Sequence, residues 1–126
     1  MSNIHLITVR IEKGATANDT IDVPSPGVPC SLSSVRFSDV DGIASHAGNY
    51  STILLKDATG SDTLATIGGA STAYTAGSGY AATMTNLNSA VFVAGDVCRI
   101  TKTHNSSGAA VNMLLLLEFT EIRATE

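Results

Sequence analysis

The chain has 126 residues, a length typical of one globular domain with a single hydrophobic core. Only 14% of the residues are charged, against about 25% in an average soluble protein, and the formal net charge is −4. An acidic balance opposes the attraction to phosphates on which most nucleic-acid affinity rests, so no direct nucleic-acid partner is expected. The sequence has no secretory signal pattern and no apolar run near the ~20 residues that cross a bilayer, so we expect a cytoplasmically made protein without a membrane partner.

Three strands are predicted in the first third of the chain, over residues 4–12, 20–23 and 30–40. In the first, Ile7, Val9 and Ile11 alternate with polar residues, which is the period of a half-buried strand. Prolines follow the second, because proline cannot donate a hydrogen bond to a sheet. In the third, Val35 and Phe37 are expected to point into the core.

The middle of the chain predicts a hairpin and a loop. Residues 50–56 and 63–67 are rich in β-formers, and the Asp- and Gly-containing segment 57–62 between them has the chemistry of a hairpin turn. A loop of small residues follows over 68–79 (GGASTAYTAGSG). Two more short strands are predicted after it, over residues 80–85 and 90–93.

The last two strands are predicted over residues 97–103 and 110–122. The final strand is apolar on both faces at its centre, so we expect it in the middle of a sheet with material packed on each side. One face of this strand is expected to cover the core. Leu114 and Leu116 lie on the opposite face and need a second cover, from a loop of the same chain or from a neighbouring subunit.

These elements together predict the fold class. Eight or nine short strands separated by turn residues, with no amphipathic helix, indicate an all-β antiparallel β-sandwich, a jelly roll of about eight strands. We expect residues 1–126 to form this one domain.

No residue pattern indicates catalysis, a cofactor or a metal ion. The three histidines, His5, His46 and His104, have no spacing typical of metal ligands. No nucleophile motif lies between a strand and a helix. Cys30 and Cys98 are too few for a disulfide framework, and we expect two buried, reduced thiols.

The most informative feature is an absence of charge from residue 63 to residue 95. Protein surfaces that meet partners are depleted in charge at their centres, because an unpaired charge is expensive to bury. An ordinary surface rich in Ser, Thr and Gly is the alternative explanation. Under the first interpretation the interface residues are Ala70, Ala73, Tyr74 and Tyr80, together with Leu114 and Leu116.

Segments 53–67 and 94–103, which close on strand 111–122, resemble the hairpins of small jelly-roll virion proteins, closest to the head decoration (cement) proteins of tailed bacteriophages. The resemblance implies a non-enzymatic protein, made in the host cytoplasm, that forms homo-oligomers and often trimers. It also implies a position on the outside of the capsid, where the protein would bind the major capsid protein and hold neighbouring capsomers together. The family offers no catalytic residues to transfer.

Two other functions are compatible with a β-sandwich, because a fold alone does not fix function. The first is a carbohydrate- or receptor-binding module of a phage tail or fibre. Such sites usually need exposed aromatic rings, and Tyr74 and Tyr80 are the only candidates, since the chain has no Trp. The second is an enzyme of the cupin kind, which would need a histidine-rich metal cluster that the sequence lacks.

Overall fold

A computed structural model of the chain describes residues 3–122. A single 3-10 turn, Leu87–Ser89, is the helical element among these residues. The strands are β1 (Ile4–Lys13), β2 (Asp19–Pro24), β3 (Cys30–Asp39), β4 (Tyr50–Lys56), β5 (Thr63–Gly68), β6 (Tyr80–Ala81), β7 (Val91–Phe92), β8 (Val97–Asn105) and β9 (Val111–Glu121).

The strands form two antiparallel sheets, with orders β1-β9-β3-β6 and β2-β8-β4-β5, and β7 also pairs with β3. The pairs are nested along the chain: β4 pairs with β5, β3 with β6 and β7, β2 with β8, and β1 with β9. Successive nested pairs alternate between the two sheets, which is the topology of a jelly roll. The predicted all-β sandwich is therefore confirmed, with β6 and β7 as two short pieces beside the same neighbour.

The core lies between the sheets and is built by alternation along the long strands, with one break in β3 where the register shifts between Leu32 and Ser34. Val35 and Phe37, which were predicted to face inward, are both buried, and Phe92 and Phe119 meet edge to face with ring centroids 5.6 Å apart. The last strand is central in its sheet, as predicted, between β1 and β3. The large side chains that are fully buried include Ile11, Leu32, Ile53, Leu55, Leu64, Ile67, Ile100, Met113 and Leu115.

The predicted hairpin between β4 and β5 is present and is closed by one side chain. The Asp57 carboxylate accepts hydrogen bonds from the Thr59 hydroxyl and from the backbone N–H groups of Ser61 and Asp62, at 2.9 to 3.1 Å. Burial opposes the negative charge, but these donors outweigh it and hold the pKa of Asp57 below its usual value. The carboxylate thus fixes the turn that the Asp and Gly residues indicated.

The predicted strands 80–85 and 90–93 are shorter than expected, with two residues each. After β6 the chain leaves β3 and crosses to the other sheet. The Ala82 N–H donates to Val35 O at 2.9 Å, whereas the Thr85 N–H donates to Leu64 O at 2.8 Å. The segment closes the open side of the sandwich between β6 and β5, and a crossing segment cannot continue as a strand of one sheet.

Lys102 is the unexpected core residue, with only 1% of its surface exposed. Its ammonium group donates to the carbonyl oxygens of Gly14, Ala15 and Ala17 at 3.0, 2.9 and 2.6 Å. Burial lowers the pKa of Lys102, while the three acceptors satisfy all three of its N–H donors. The side chain therefore holds the β1–β2 loop against the end of the sandwich.

Candidate interaction surfaces

The residues without charge form one side of the sandwich. Loop 69–79 connects β5 to β6 at one end, and segment 82–90 covers the side between these strands. We call the exposed residues of 69–94 the charge-free flank. Ala70 and Ala73, two of the residues predicted to lie at an interface, are exposed on it.

Tyr74 and Tyr80 attach the loop to the sandwich. Their rings surround Phe37, with centroid distances of 5.0 Å from Tyr74 and 5.6 Å from Tyr80, and they lie 5.0 Å from each other. The Tyr74 hydroxyl accepts from the Gly68 N–H and the Tyr80 hydroxyl from the Thr75 N–H, both at 2.8 Å. Both tyrosines are half-buried, so most of their ring surface serves the fold and only part of it faces solvent.

Backbone contacts also hold the loop in one conformation. Ile43 and Tyr74 exchange two hydrogen bonds of 2.9 Å, and the Gly77 N–H donates to Asp39 O at 3.0 Å. Gly42 allows this approach, since its φ is +78° and a Cβ there would lie 3.0 Å from the Ala76 nitrogen. The charge-free flank is therefore built on a loop that is already ordered within the chain.

The second predicted group, Leu114 and Leu116, lies on the outer face of the five-stranded sheet. Leu114 is 44% exposed and Leu116 is half-buried, so the described part of the chain supplies no full cover for either. Both line a shallow depression with Thr8, Arg36 and Gly79. Because Gly79 ends loop 69–79, the depression adjoins the charge-free flank at that residue, and the lining does not include Ala70, Ala73, Tyr74 or Tyr80.

Two further apolar residues on this face were missed from the sequence. Ile4 and Leu6 are 56% and 61% exposed on β1, at the edge of the same sheet. Their signal is visible in the sequence, because they occupy the alternate positions that continue as Thr8, Arg10 and Glu12 on the outward face. Exposed apolar residues on an edge strand favour pairing with another strand.

The histidines lie apart and serve local contacts. His5 Nε2 lies 2.7 Å from a carboxylate oxygen of Glu121, and His104 Nδ1 lies 2.7 Å from Asn18 Oδ1. His46 Nδ1 accepts two backbone N–H groups of its own loop. Within residues 3–122, no group of three His, Cys, Asp or Glu residues could hold a metal ion, and no helix is long and apolar enough to span a membrane.

Cys30 and Cys98 are both free and buried, as predicted. Burial raises the pKa of both thiols, with a smaller contribution from nearby carboxylates, and raises that of Cys98 to about 12. Because the thiolate is the reactive form, we expect neither thiol to react with a disulfide reagent in the native protein at pH 8. Titration in denaturant should then find two thiols per chain, and rapid labelling of the native protein would contradict the assignment.

Comparison with known proteins identifies no family. No family model matches the chain, and no curated protein matches it. A search of solved structures finds a chain of the structure of infectious bursal disease virus Gx strain, with 14% sequence identity and a TM-score of 0.37. The match covers 99% of this chain but 33% of the viral chain, so this chain spans about a third of its length. A likeness at this level defines neither a family nor a function.

Proposed function

We propose that this protein is a non-enzymatic structural component of a virus particle, a capsid decoration or cement protein. In this role it forms a homo-oligomer, a trimer, on the outside of the capsid and bridges subunits of the major capsid protein. The charge-free flank carries the proposal, because it is an exposed surface of a folded jelly roll on which residues 69–94 bear no charged side chain.

The flank has the properties that association between proteins requires. None of its own side chains carries a charge that has to be stripped of water when a partner covers it, which removes the largest cost of burying a polar surface. The exposed Asp62 carboxylate, which accepts from the Ser89 hydroxyl at 2.5 Å, lies at its border. Its loop is held by two tyrosine hydroxyls and by the Ile43–Tyr74 backbone pair, so little conformational entropy remains to be lost on binding. Small exposed residues such as Ala70 and Ala73 allow a partner backbone to approach closely.

A bridging protein needs more than one contact surface, and the chain has a second. The depression beside Leu114 and Leu116 is apolar and adjoins the flank through Gly79. One surface can join copies of this chain while the other binds the capsid.

The alternative function, a carbohydrate-binding module of a phage tail or fibre, has less support from the structure. Tyr74 and Tyr80 were the candidate sugar platform, but both are half-buried against Phe37 and both hydroxyls accept backbone hydrogen bonds. Stacking on a sugar ring requires a free aromatic face. We therefore propose the structural role in the virion and not the glycan-binding one.

The test is an added carboxylate on the flank. Ala73→Asp should leave the melting temperature of the dissociated subunit almost unchanged, since an exposed substitution costs within about 0.5 kcal/mol. Binding to undecorated capsids should weaken by at least about 30-fold, because the carboxylate is desolvated without a partner at about 2 kcal/mol or more. Ala17→Asp is the matched control, because Ala17 is also exposed, on the β1–β2 loop on the other side of the sandwich, and contacts Lys102 through its carbonyl, which the substitution keeps.

Sedimentation velocity and capsid binding should be measured for wild type and both variants. The proposal expects Ala17→Asp to behave as wild type in both assays. If Ala73→Asp assembles and binds like wild type, the flank is ordinary solvent-facing surface. If neither the wild-type protein nor the variants bind capsids, the decoration role is wrong.

A further inference from the structure

Strand β1 is an open edge of the five-stranded sheet. Its ten residues pair with β9 on one side only, with no shift in register. The Glu121 N–H donates to Asn3 O, which places the odd-numbered positions of β1 in hydrogen bonds with β9. By the alternation of an antiparallel pair, the even-numbered positions direct their N–H and C=O groups away from the sheet. These positions are Ile4, Leu6, Thr8, Arg10 and Glu12.

The other sheet edges in the described residues are short or covered. The edge of β5 is bonded by the segment that crosses the sandwich, through the Thr85 N–H to Leu64 O and the Thr85 hydroxyl to Thr63 O. Strands β6 and β7 have two residues each. Strand β2 is six residues long, ends at a proline and carries two aspartates. Such features are the usual protection against edge-to-edge pairing. Strand β1 has no proline or bulge, and its outward charged residues, Arg10 and Glu12, are confined to its second half.

We propose that β1 pairs with β1 of a second copy of this chain, in antiparallel orientation about a two-fold axis at Thr8. This register places every one of the five free positions opposite another free position and forms about ten new backbone hydrogen bonds. Any other register leaves some of these groups without a partner. The occupant is a second copy because the strand is complementary to its own reversed sequence.

The side chains in this register are compatible on both faces. On the inward face, Ile7 lies opposite Val9 of the second copy, and both are partly buried residues packed against the core. On the outward face, Leu6 lies opposite the aliphatic part of Arg10, Ile4 lies opposite Glu12, and Thr8 lies opposite its own copy. No like charges face each other, and cross-strand β-branched pairs stabilise a sheet.

The pair would join two five-stranded sheets into one continuous sheet. Its outer face would carry Leu6, Leu114 and Leu116 of both copies, with Thr8 opposite Leu116 and Arg10 opposite Leu114 in the β1–β9 register. Edge pairing extends this face and leaves it exposed. The contact lies at the β1 side of the sandwich, away from the charge-free flank. Thr8, at the axis, also lines the depression beside Leu114 and Leu116, so the two-fold contact is separate from the flank but not from the depression. Together with a trimer whose three-fold axis meets the two-fold axis, it predicts assemblies of six chains.

The experiment places a lysine or a cysteine at the axis. Thr8→Lys brings two ammonium groups together across the two-fold axis and should halve the mass of the assembly at micromolar concentration, as measured by native mass spectrometry. Thr103→Lys is the matched control, because Thr103 is an exposed threonine on β8, in the interior of the other sheet. This control should keep the wild-type mass. Circular dichroism and melting temperature should be recorded for both variants to show that each is folded.

A cross-link gives an independent readout. Opposed residues in a hydrogen-bonded antiparallel pair have Cα atoms about 5.5 Å apart, which a short bismaleimide cross-linker spans. Thr8→Cys should therefore give a covalent dimer when the native protein is treated with this reagent, whereas Thr103→Cys should not. The native cysteines are buried and do not compete.

The proposal is wrong if the wild-type protein contains only an odd number of chains, if Thr8→Lys keeps the wild-type mass, or if Thr8→Cys stays uncross-linked. The flank variant Ala73→Asp separates the two proposals. It should break the trimer and capsid binding and leave the Thr8→Cys cross-link intact. If Thr8→Cys is not cross-linked but capsid binding is normal, only the proposed two-fold contact is wrong.

Discussion

Replacing Phe37 with alanine should lower the free energy of unfolding by about 4 kcal/mol and release loop 69–79 from the sandwich. Phe37 is buried and lies between the rings of Tyr74 and Tyr80. Its loss leaves a cavity and also removes the surface on which both tyrosines rest. Their hydroxyls would then no longer be held against the N–H groups of Gly68 and Thr75.

Denaturant unfolding and amide hydrogen exchange measure the two effects separately. Phe92→Ala is the matched control, because Phe92 is fully buried and its one aromatic partner, Phe119, lies away from the loop. We expect similar losses of stability, with faster exchange at Gly68 and Thr75 under native conditions only for Phe37→Ala. Equal exchange in the two variants would show that the loop is held by its backbone contacts alone.

The second large effect is expected for Lys102→Met, at about 3 kcal/mol of unfolding free energy. Methionine has a similar length and removes the cost of burying the ammonium group, but it takes the donor from the carbonyls of Ala15 and Ala17 and leaves the Gly14 carbonyl with the Ala17 N–H at 3.2 Å. Removing one partner from a buried charged hydrogen-bond network is among the most destabilising single changes.

Lys56→Met is the control for this variant. Lys56 is half-buried on β4, and its ammonium group donates to the Thr63 hydroxyl alone, at 2.9 Å. We expect a cost within about 1 kcal/mol, since an exposed polar contact contributes little. Chemical denaturation of both variants gives the comparison, and equal losses would mean that the three carbonyls are satisfied by water once Lys102 is removed.

Much of the fold could be predicted because long strands carry a period of two. The predicted hairpin around residues 57–62 and the central last strand both match the structure, since alternation and turn chemistry are local properties. The segment after Tyr80 was predicted less well. Its small residues suit a strand, but its course is decided by bonds to β3 and β5, which lie far away in sequence. Lys102 was missed for the same reason, because its acceptors lie up to 88 residues away.

The same distinction between local patterns and distant contacts applies to the candidate surfaces. The exposure of Ala70 and Ala73 follows from a loop of small residues, and the outward position of Leu114 follows from alternation. The half-buried state of the two tyrosines depends on Phe37, which no local pattern connects to them. The open edge at β1 could not be predicted at all, because a strand becomes an edge only through the order of the sheet.

The nested pairing of the strands has a consequence for how the chain acquires its structure. The innermost pair, β4 and β5, closes a loop of a few residues, whereas β1 and β9 join nearly the whole length of the chain. Loop closure costs more entropy as the loop lengthens, so the roll should form outward from the central hairpin, on the slow timescale of domains with many long-range contacts. Strand β1 is then left without a partner until β9 has been synthesised. A newly made chain therefore acquires its full five-stranded sheet only after β9 has left the ribosome.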